Sequence, residues 1–390
     1  MLTITSDFLM DGKPFKIISG SIHYLIILPV YWQDRLEKLK NMGCNTVETY
    51  IPWNFHEPKK GVFLWQGRYD VEKFISLAEN LGLYIIIRPS PYICAEWEWG
   101  GLPSWLMANS KIRVRSANKY FLKEVEDYYK ILFPKLINHQ ADKGGKIILM
   151  QIENEYGYFG FSKKYLHALE KMMRNLGATV PFVTSDGPWG GSMGRGSIRS
   201  ALPTGNFGSK VNKQFRVMKK YVKDRPLMCM EFWCGWFDAW GEKHHTSNLE
   251  QNKKDLEAAL QLGHINFYMF EGGTNFGFTA GKNLKSKEAD ITSYDYDAIL
   301  TEDGQITPKY DAFKIIIKNY KDNNPNAFSN FTEIPLSFSQ NRKAYNTVMI
   351  SDAVSLFDTL EKMTVPVKSE TPLNMEHEKI SQDYGHILYR

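Results

Sequence analysis

Short apolar runs and amphipathic stretches alternate along most of the chain. Phe15–Ser19 reads as a first strand. Tyr31–Met42 follows with Trp32, Leu36 and Leu39 at helical spacing, and Gly43 supplies a stop. Asn45–Tyr50 is β-branched and aromatic, the composition of a second strand. Val71–Leu81 is helical up to Gly82. Leu83–Arg88 is almost wholly apolar, as in a parallel strand covered on both faces, and ends at Pro89. The alternation continues through helix Asn118–Asn138, strand Lys146–Gln151, helix Ser162–Leu176, strand Pro181–Ser185 and a weaker strand, Ala201–Thr204. Helix Val211–Val222, strand Pro226–Met230, helix Leu249–Leu262, strand Ile265–Phe270 and helix Pro308–Tyr320 complete it.

Eight strand–helix units over roughly 320 residues predict an α/β chain folded as a (β/α)₈ TIM barrel, which takes ~250 residues or more with insertions. The barrel is expected over residues 1–322. Residues 323–330 form a connector rich in Pro and Asn. Residues 331–390 carry β-like segments, Lys343–Met349, Val354–Phe357 and His386–Tyr389, with no further alternation. They are expected to begin an all-β, sandwich-like appendage, left partial by an ending inside an apolar segment at Tyr389-Arg390.

Composition adds little to the fold and something to the chemistry. The chain is 14% aromatic, with 10 Trp and 21 Tyr, and most of these rings are expected in the core. Trp97, Trp99, Trp105, Trp233, Trp236 and Trp240, however, cluster beside candidate acids, where flat rings with a polar handle suit a sugar. The net charge of +5 is thinly spread, and the densest basic stretch, Lys282–Lys287, reads as a solvated loop, so no nucleic-acid partner is expected. Cys44, Cys94, Cys229 and Cys234 show no zinc-type pairing; Cys94 and Cys234 are expected to line a pocket. Leu25–Val30 is too short to span a bilayer. Met1–Phe15 shows no secretory pattern, which makes a cytoplasmic location the expectation and a chance match of the sequon at Asn330.

Two apolar runs end in carboxylates. Ile147–Met150 leads into Gln151-Ile152-Glu153-Asn154-Glu155-Tyr156-Gly157, and Pro226–Met230 leads into Glu231-Phe232-Trp233. The C-terminal ends of barrel strands share one face, so Glu96, Glu155, Glu231 and Tyr294–Tyr296 should meet there. A retaining glycosidase needs two such acids with carboxyl groups roughly 5–5.5 Å apart. Glu231 is the candidate nucleophile and Glu155 the candidate acid/base, its pKa raised by the neighbouring carboxylate. Asn154 would bond the sugar 2-hydroxyl, and neither metal nor organic cofactor is called for.

The segment Gln151–Gly157 resembles the signature of glycoside hydrolase family 35, the β-galactosidases. So do Ser21–Tyr24, Thr49–Pro58, Arg88–Glu98, Gly100–Pro103, Glu231–Trp236, Gly272–Gly277 and Thr292–Asp297, in the family's order over about the first 310 residues. The resemblance is strongest to the shorter bacterial exo-acting type. It implies Glu155 as acid/base and Glu231 as nucleophile in a retaining exo-β-galactosidase. Tyr50, the backbone of Ala95, Glu96, Asn154 and Tyr296 would hold a terminal galactose, with Trp236 and Trp240 on the leaving-group side. Glu153 would belong to the sugar's surroundings, whereas Glu57 and Glu98 are expected to be structural. The partner is a carbohydrate with terminal β-galactose, and the β modules of such relatives leave room for a homodimer. An exo-β-glycosidase of another sugar, such as a glucosaminide, and a catalytically silent sugar-binding protein are the alternatives.

The chain departs from the family's pattern at Ile26, where an Arg is usual, at Leu28, Val30 and Lys146, and at Glu271, often His. None of these removes a catalytic group. Loss of the Arg is expected to leave a nearby buried acid without its partner.

Overall fold

The computed structural model describes residues 1–283, 288–329, 331–336, 342–377, 379–380, 382 and 385–390. Leu284–Lys287 of the expected basic loop and Asn330 of the sequon lie outside the described residues.

Three short antiparallel strands come first: β1 (Leu2–Ile4), β2 (Phe8–Met10) and β3 (Lys13–Pro14). Eight parallel strands then close a barrel: β4 (Ile18–Ile22), β5 (Thr46–Tyr50), β6 (Tyr84–Arg88), β7 (Ile147–Gln151), β8 (Phe182–Asp186), β9 (Leu202–Asn206), β10 (Met228–Trp233) and β11 (His264–Glu271). Each strand pairs with its neighbour in sequence, and β11 pairs with β4. The helices in chain order are α1 (Trp32–Met42), α2 (Trp53–His56), α3 (Val71–Asn80), α4 (Lys119–Leu136), α5 (Tyr156–Phe159), α6 (Lys163–Asn175), α7 (Ser192–Gly196), α8 (Val211–Val222), α9 (Leu249–Leu262) and α10 (Pro308–Asp322). Single turns α2, α5 and α7 sit in the loops after β5, β7 and β8, on the face where barrel chemistry belongs. Among the described residues no helix is long and apolar enough to cross a membrane.

The barrel interior is layered. Ile86, Leu149, Val183, Leu202, Met228 and Met230 form its lower, apolar layer and pack with Leu2, Phe8 and Met10 of the antiparallel sheet. That sheet, which strands of two or three residues gave no pattern to predict, therefore plugs the bottom of the barrel. Side chains two residues further along a strand point the same way. Ile86 is thus followed by Arg88, Leu149 by Gln151, and Leu202 by Thr204 and then Asn206, all buried. The upper layer is polar because its groups bond one another: Ser185 Oγ and Asn206 Oδ1 are 2.5 Å apart, and Asn266 Nδ2 donates to Ser21 Oγ at 2.8 Å.

Three expectations need correction. The first barrel strand is Ile18–Ile22, not Phe15–Ser19. Phe15 and Ile17 belong to the lower core, and the Lys16 ammonium donates to the carbonyls of Leu260 and Gly263 at 2.6 and 2.5 Å, which holds this stretch as a connection. The seventh strand extends to Trp233, so Glu231 lies within β10 rather than after it. The ladder slips between Cys229 and Glu231, a bulge of the kind that re-aims a side chain. Finally, Lys343–Met349 and His386–Tyr389 form no strand among the described residues, and Leu356–Met363 is a helix, α11. Leu356, Phe357, Leu360 and Met363 follow a helical period that a β reading of Val354–Phe357 overlooks.

Ile26 and Glu271 line one cavity beside β11. The expectation of an unpaired acid there is not met. Arg35, from α1, donates Nε to Glu271 Oε1 at 2.9 Å and Nη2 to the Asp303 carbonyl at 2.8 Å. Arg35 and Glu271 are both buried, so removing the cation strands a carboxylate. Arg35→Met should lower unfolding free energy by roughly 3–5 kcal/mol. Urea denaturation of Arg35→Met and of the double variant with Glu271→Gln checks this: the second change should restore much of the loss, and a double variant no more stable than Arg35→Met contradicts it.

Candidate active site

The C-terminal ends of β5, β6, β7 and β10 converge on one small pocket of about 160 Å³. Its walls include Tyr50, Cys94, Ala95, Glu96, Asn154, Glu155, Glu231, Trp233, Trp236, Tyr268 and Tyr296. Eight of the nine residues expected here are thus brought together. Trp240 is not among them; it is 63% exposed and lies outside this lining.

Glu231 is held by both oxygens. Tyr50 donates its hydroxyl to Oε1 at 2.9 Å, and Arg88 donates Nη2 to the same oxygen at 2.7 Å. Trp233 donates its indole N–H to Oε2 at 3.0 Å. Asn154 is fixed by the same donors. Its Oδ1 accepts from Tyr50 at 3.0 Å, Arg88 at 2.6 Å and Gln151 at 3.2 Å. With the oxygen so engaged, the amide nitrogen is the end left to donate to a ligand.

Arg88 is the residue whose role the sequence did not suggest. It is 0% exposed, lies 3.9 Å over the Tyr50 ring, and has Nε 3.7 Å from Glu48 Oε1. A lone Arg at a strand end carries no catalytic signature in sequence; only the barrel shows that β5, β6, β7 and β10 meet around it.

Glu155 sits in a contrasting environment. It caps α5 with a left-handed backbone, φ 48°. Asn206, at the end of β9, donates to its Oε1 at 3.0 Å. Burial lifts the carboxyl to about 7, and the nearby Glu231 charge adds to the rise. Like-charge repulsion therefore contributes as expected, but desolvation is the larger cause. Glu96 is raised further, to about 8, first by burial, against the opposing hydrogen bond from Tyr294.

Strained backbone concentrates here. Cys94, Ala95 and Glu96 have φ of 62°, 58° and 48°, and Glu153 and Tyr296 also lie in the left-handed region at 58° and 64°. Non-glycine residues persist there only where surrounding structure holds them, typically around functional sites. Burial pushes the Cys94 thiol up to about 12, which fits a wall residue and not a nucleophile. Cys234 lies outside the lining.

Glu153 faces away from the pocket. Arg115 grips it with Nε at 3.0 Å and Nη2 at 2.8 Å, the latter nitrogen also reaching the Asn154 carbonyl at 2.7 Å. Tyr165 adds a bond at 3.0 Å. Glu153 thus pins the loop that carries Asn154 and Glu155. Glu57 accepts from Trp53 at 2.7 Å and from the Gly61 amide at 2.8 Å, a structural task as expected. Among the described residues no group of three or more His, Cys, Asp or Glu side chains is arranged to hold a metal ion.

Residues 7–320 match the family model described as glycosyl hydrolases family 35. Beta-galactosidase-1-like protein 3 of Rattus norvegicus is 40% identical over 98% of this chain and 60% of its own length. The beta-galactosidase of Felis catus is 39% identical over 98% of this chain and 57% of its own. The chain therefore spans about 60% of the length of these relatives. Among solved structures, a GH5_18 protein from Streptomyces cattleya in complex with GlcNAc superposes with a TM-score of 0.56 at 10% identity, over 79% of this chain and 81% of that one. A beta-D-glucuronidase of Dictyoglomus thermophilum gives 0.54 at 13% identity, over 82% and 54%. At such identities the two structures speak for the barrel alone.

The electrostatic link between the two carboxyls can be read directly. In Glu231→Gln the Glu155 pKa should fall below about 7, because a like charge is removed. Carboxyl ¹³C NMR titration measures it; an unchanged pKa means that the two groups do not sense each other.

Proposed function

This chain belongs to glycosyl hydrolases family 35, and on that premise we propose that it is a retaining exo-β-galactosidase. It would release terminal β-galactose from oligosaccharides or glycoconjugates. The observation that carries the reading is one pocket walled by both Glu155 and Glu231, the first raised to about 7 and the second anchored by Arg88, Tyr50 and Trp233.

Glu231 attacks the anomeric carbon as the bond from that carbon to the leaving oxygen breaks. Glu155 gives its proton to the departing oxygen. A water then attacks the glycosyl ester, Glu155 accepts its proton, and Glu231 leaves as a carboxylate, so two inversions retain the β configuration. A donor with a pKa of about 7 is well matched to transfer in both directions near neutrality. Asn154, its amide oxygen already bonded, donates to the 2-hydroxyl. Glu96 is largely protonated below about 8 and can offer a proton as well as accept one. Polar walls that bond the axial 4-hydroxyl reject an epimer that leaves them unpaired.

The scheme requires protonated Glu155 in the free enzyme. kcat/KM for a β-galactosyl disaccharide should therefore fall as pH rises through about 7. In Glu155→Gln that limb should disappear, with a loss of roughly 10²–10⁴-fold on the disaccharide and much less on the dinitrophenyl galactoside, whose leaving group needs no proton. Early ¹H NMR spectra should show β-galactose first. Initial α-galactose, or an unaltered pH profile in Glu155→Gln, removes the assignment; faster cleavage of the glucosaminide replaces the sugar.

A further inference from the structure

Beyond the pocket, aromatic rings continue outward without a break. Trp233, which bonds Glu231, meets the Trp189 ring at 6.1 Å between centroids. Trp189 in turn meets Tyr158 at 6.4 Å. Neither of these last two rings lines the pocket, and both are partly open to solvent, Trp189 at 41% and Tyr158 at 47%. They come from different loops. Tyr158 lies on α5, three residues after Glu155, and its amide donates to the Glu155 carbonyl at 3.0 Å. Trp189 follows β8 in Gly187-Pro188-Trp189-Gly190-Gly191.

The loop is shaped to present that ring. A Cβ on Gly187 would come within 2.1 Å of the Tyr158 hydroxyl and 2.6 Å of the Trp189 ring, so only glycine lets both close over it. Gly190 and Gly191 turn the chain back with φ of 60° and 75°. The Ser192 hydroxyl then ties the loop, donating to the Gly187 carbonyl at 2.5 Å and lying 2.8 Å from that of Trp189. The Trp189 ring is thus held against Trp233 and Tyr158 while 41% of the residue stays open to solvent.

We propose that Trp189 and Tyr158 form the leaving-group subsite, a platform for a pyranose whose flat C–H face stacks on the indole. This rests on the glycosidase reading above and extends it: the preferred substrates are β-galactosides whose leaving group is itself a sugar ring. Glu155 protonates the leaving oxygen, so the leaving group must lie on the Glu155 side, where Tyr158 and Trp189 are exposed rings joined to the pocket wall through Trp233. Trp240, 63% exposed and outside the pocket lining, has no comparable link to Glu155.

The test compares two leaving groups. Trp189→Ala should lower kcat/KM for a β-galactosyl disaccharide by roughly three- to tenfold, the worth of one ring contact. It should leave β-galactosyl fluoride, whose leaving group is one atom, unchanged, together with inhibition by free galactose. Trp189→Phe should recover most of the loss. Equal losses on both substrates, or none on either, overturn the platform. Should the parent protein cleave neither substrate, the glycosidase reading fails separately. Calorimetry then decides the subsite: the disaccharide should bind more tightly than galactose to the parent and no more tightly to Trp189→Ala, and an unchanged difference overturns it.

Discussion

One guanidinium organises the polar half of this barrel. Arg88 has no surface in water, so its charge must be matched by protein groups. It finds Glu231 and the Asn154 oxygen directly, Glu48 at slightly longer range, and the Tyr50 ring beneath it. A buried cation surrounded by such partners leaves little freedom to any of them. The candidate nucleophile is held by one oxygen against Arg88 and Tyr50 and by the other against Trp233. Asn154 is turned with its oxygen into this cluster, so its nitrogen is the end left to donate. The rigidity of the site is thus a consequence of how the barrel buries a charge.

The same arrangement separates two chemically identical side chains. Glu231 lies on a bulged strand among donors. Glu155 lies on the loop after β7, partly buried, with one amide donor, Asn206. The lift of Glu155 to about 7 suits the acid/base role proposed for it. The supporting parts lie behind the pocket: Arg115 and Tyr165 hold Glu153, and Glu153 in turn receives the Asn154 amide at 2.8 Å, so the loop bearing both Asn154 and Glu155 is braced from outside.

Much of this could be read from residue order. Nearly continuous apolar runs such as Leu83–Arg88 and Ile147–Met150 identify buried parallel strands, and a barrel then carries their end residues to one face. That inference brings Glu96, Glu155, Glu231 and Tyr296 to one pocket, and the family resemblance adds Tyr50. What escaped it was information that residue order does not carry. The bulge that puts Glu231 inside β10 is a slip in pairing, visible only from both strands. The left-handed run Cys94–Glu96 is held by its surroundings and contains no glycine to mark it. Arg88 looks like any strand-end arginine until four strands are seen to meet around it. Of the two rings that the resemblance implies for the leaving-group side, Trp236 lines the pocket and Trp240 lies outside that lining.

In the proposed reaction Glu231 forms a bond to the anomeric carbon inside the pocket that it shares with Glu155. The most direct measurement uses 2-deoxy-2-fluoro-β-galactosyl fluoride, whose reactive leaving group allows attack while the 2-fluorine slows hydrolysis of the ester. Intact mass spectrometry and peptide mapping should find one fluorogalactosyl group per chain, on the peptide containing Glu231, and none when excess galactose is present. A label on any other residue, or hydrolysis of ordinary galactosides by a protein that never accumulates the label, contradicts the account.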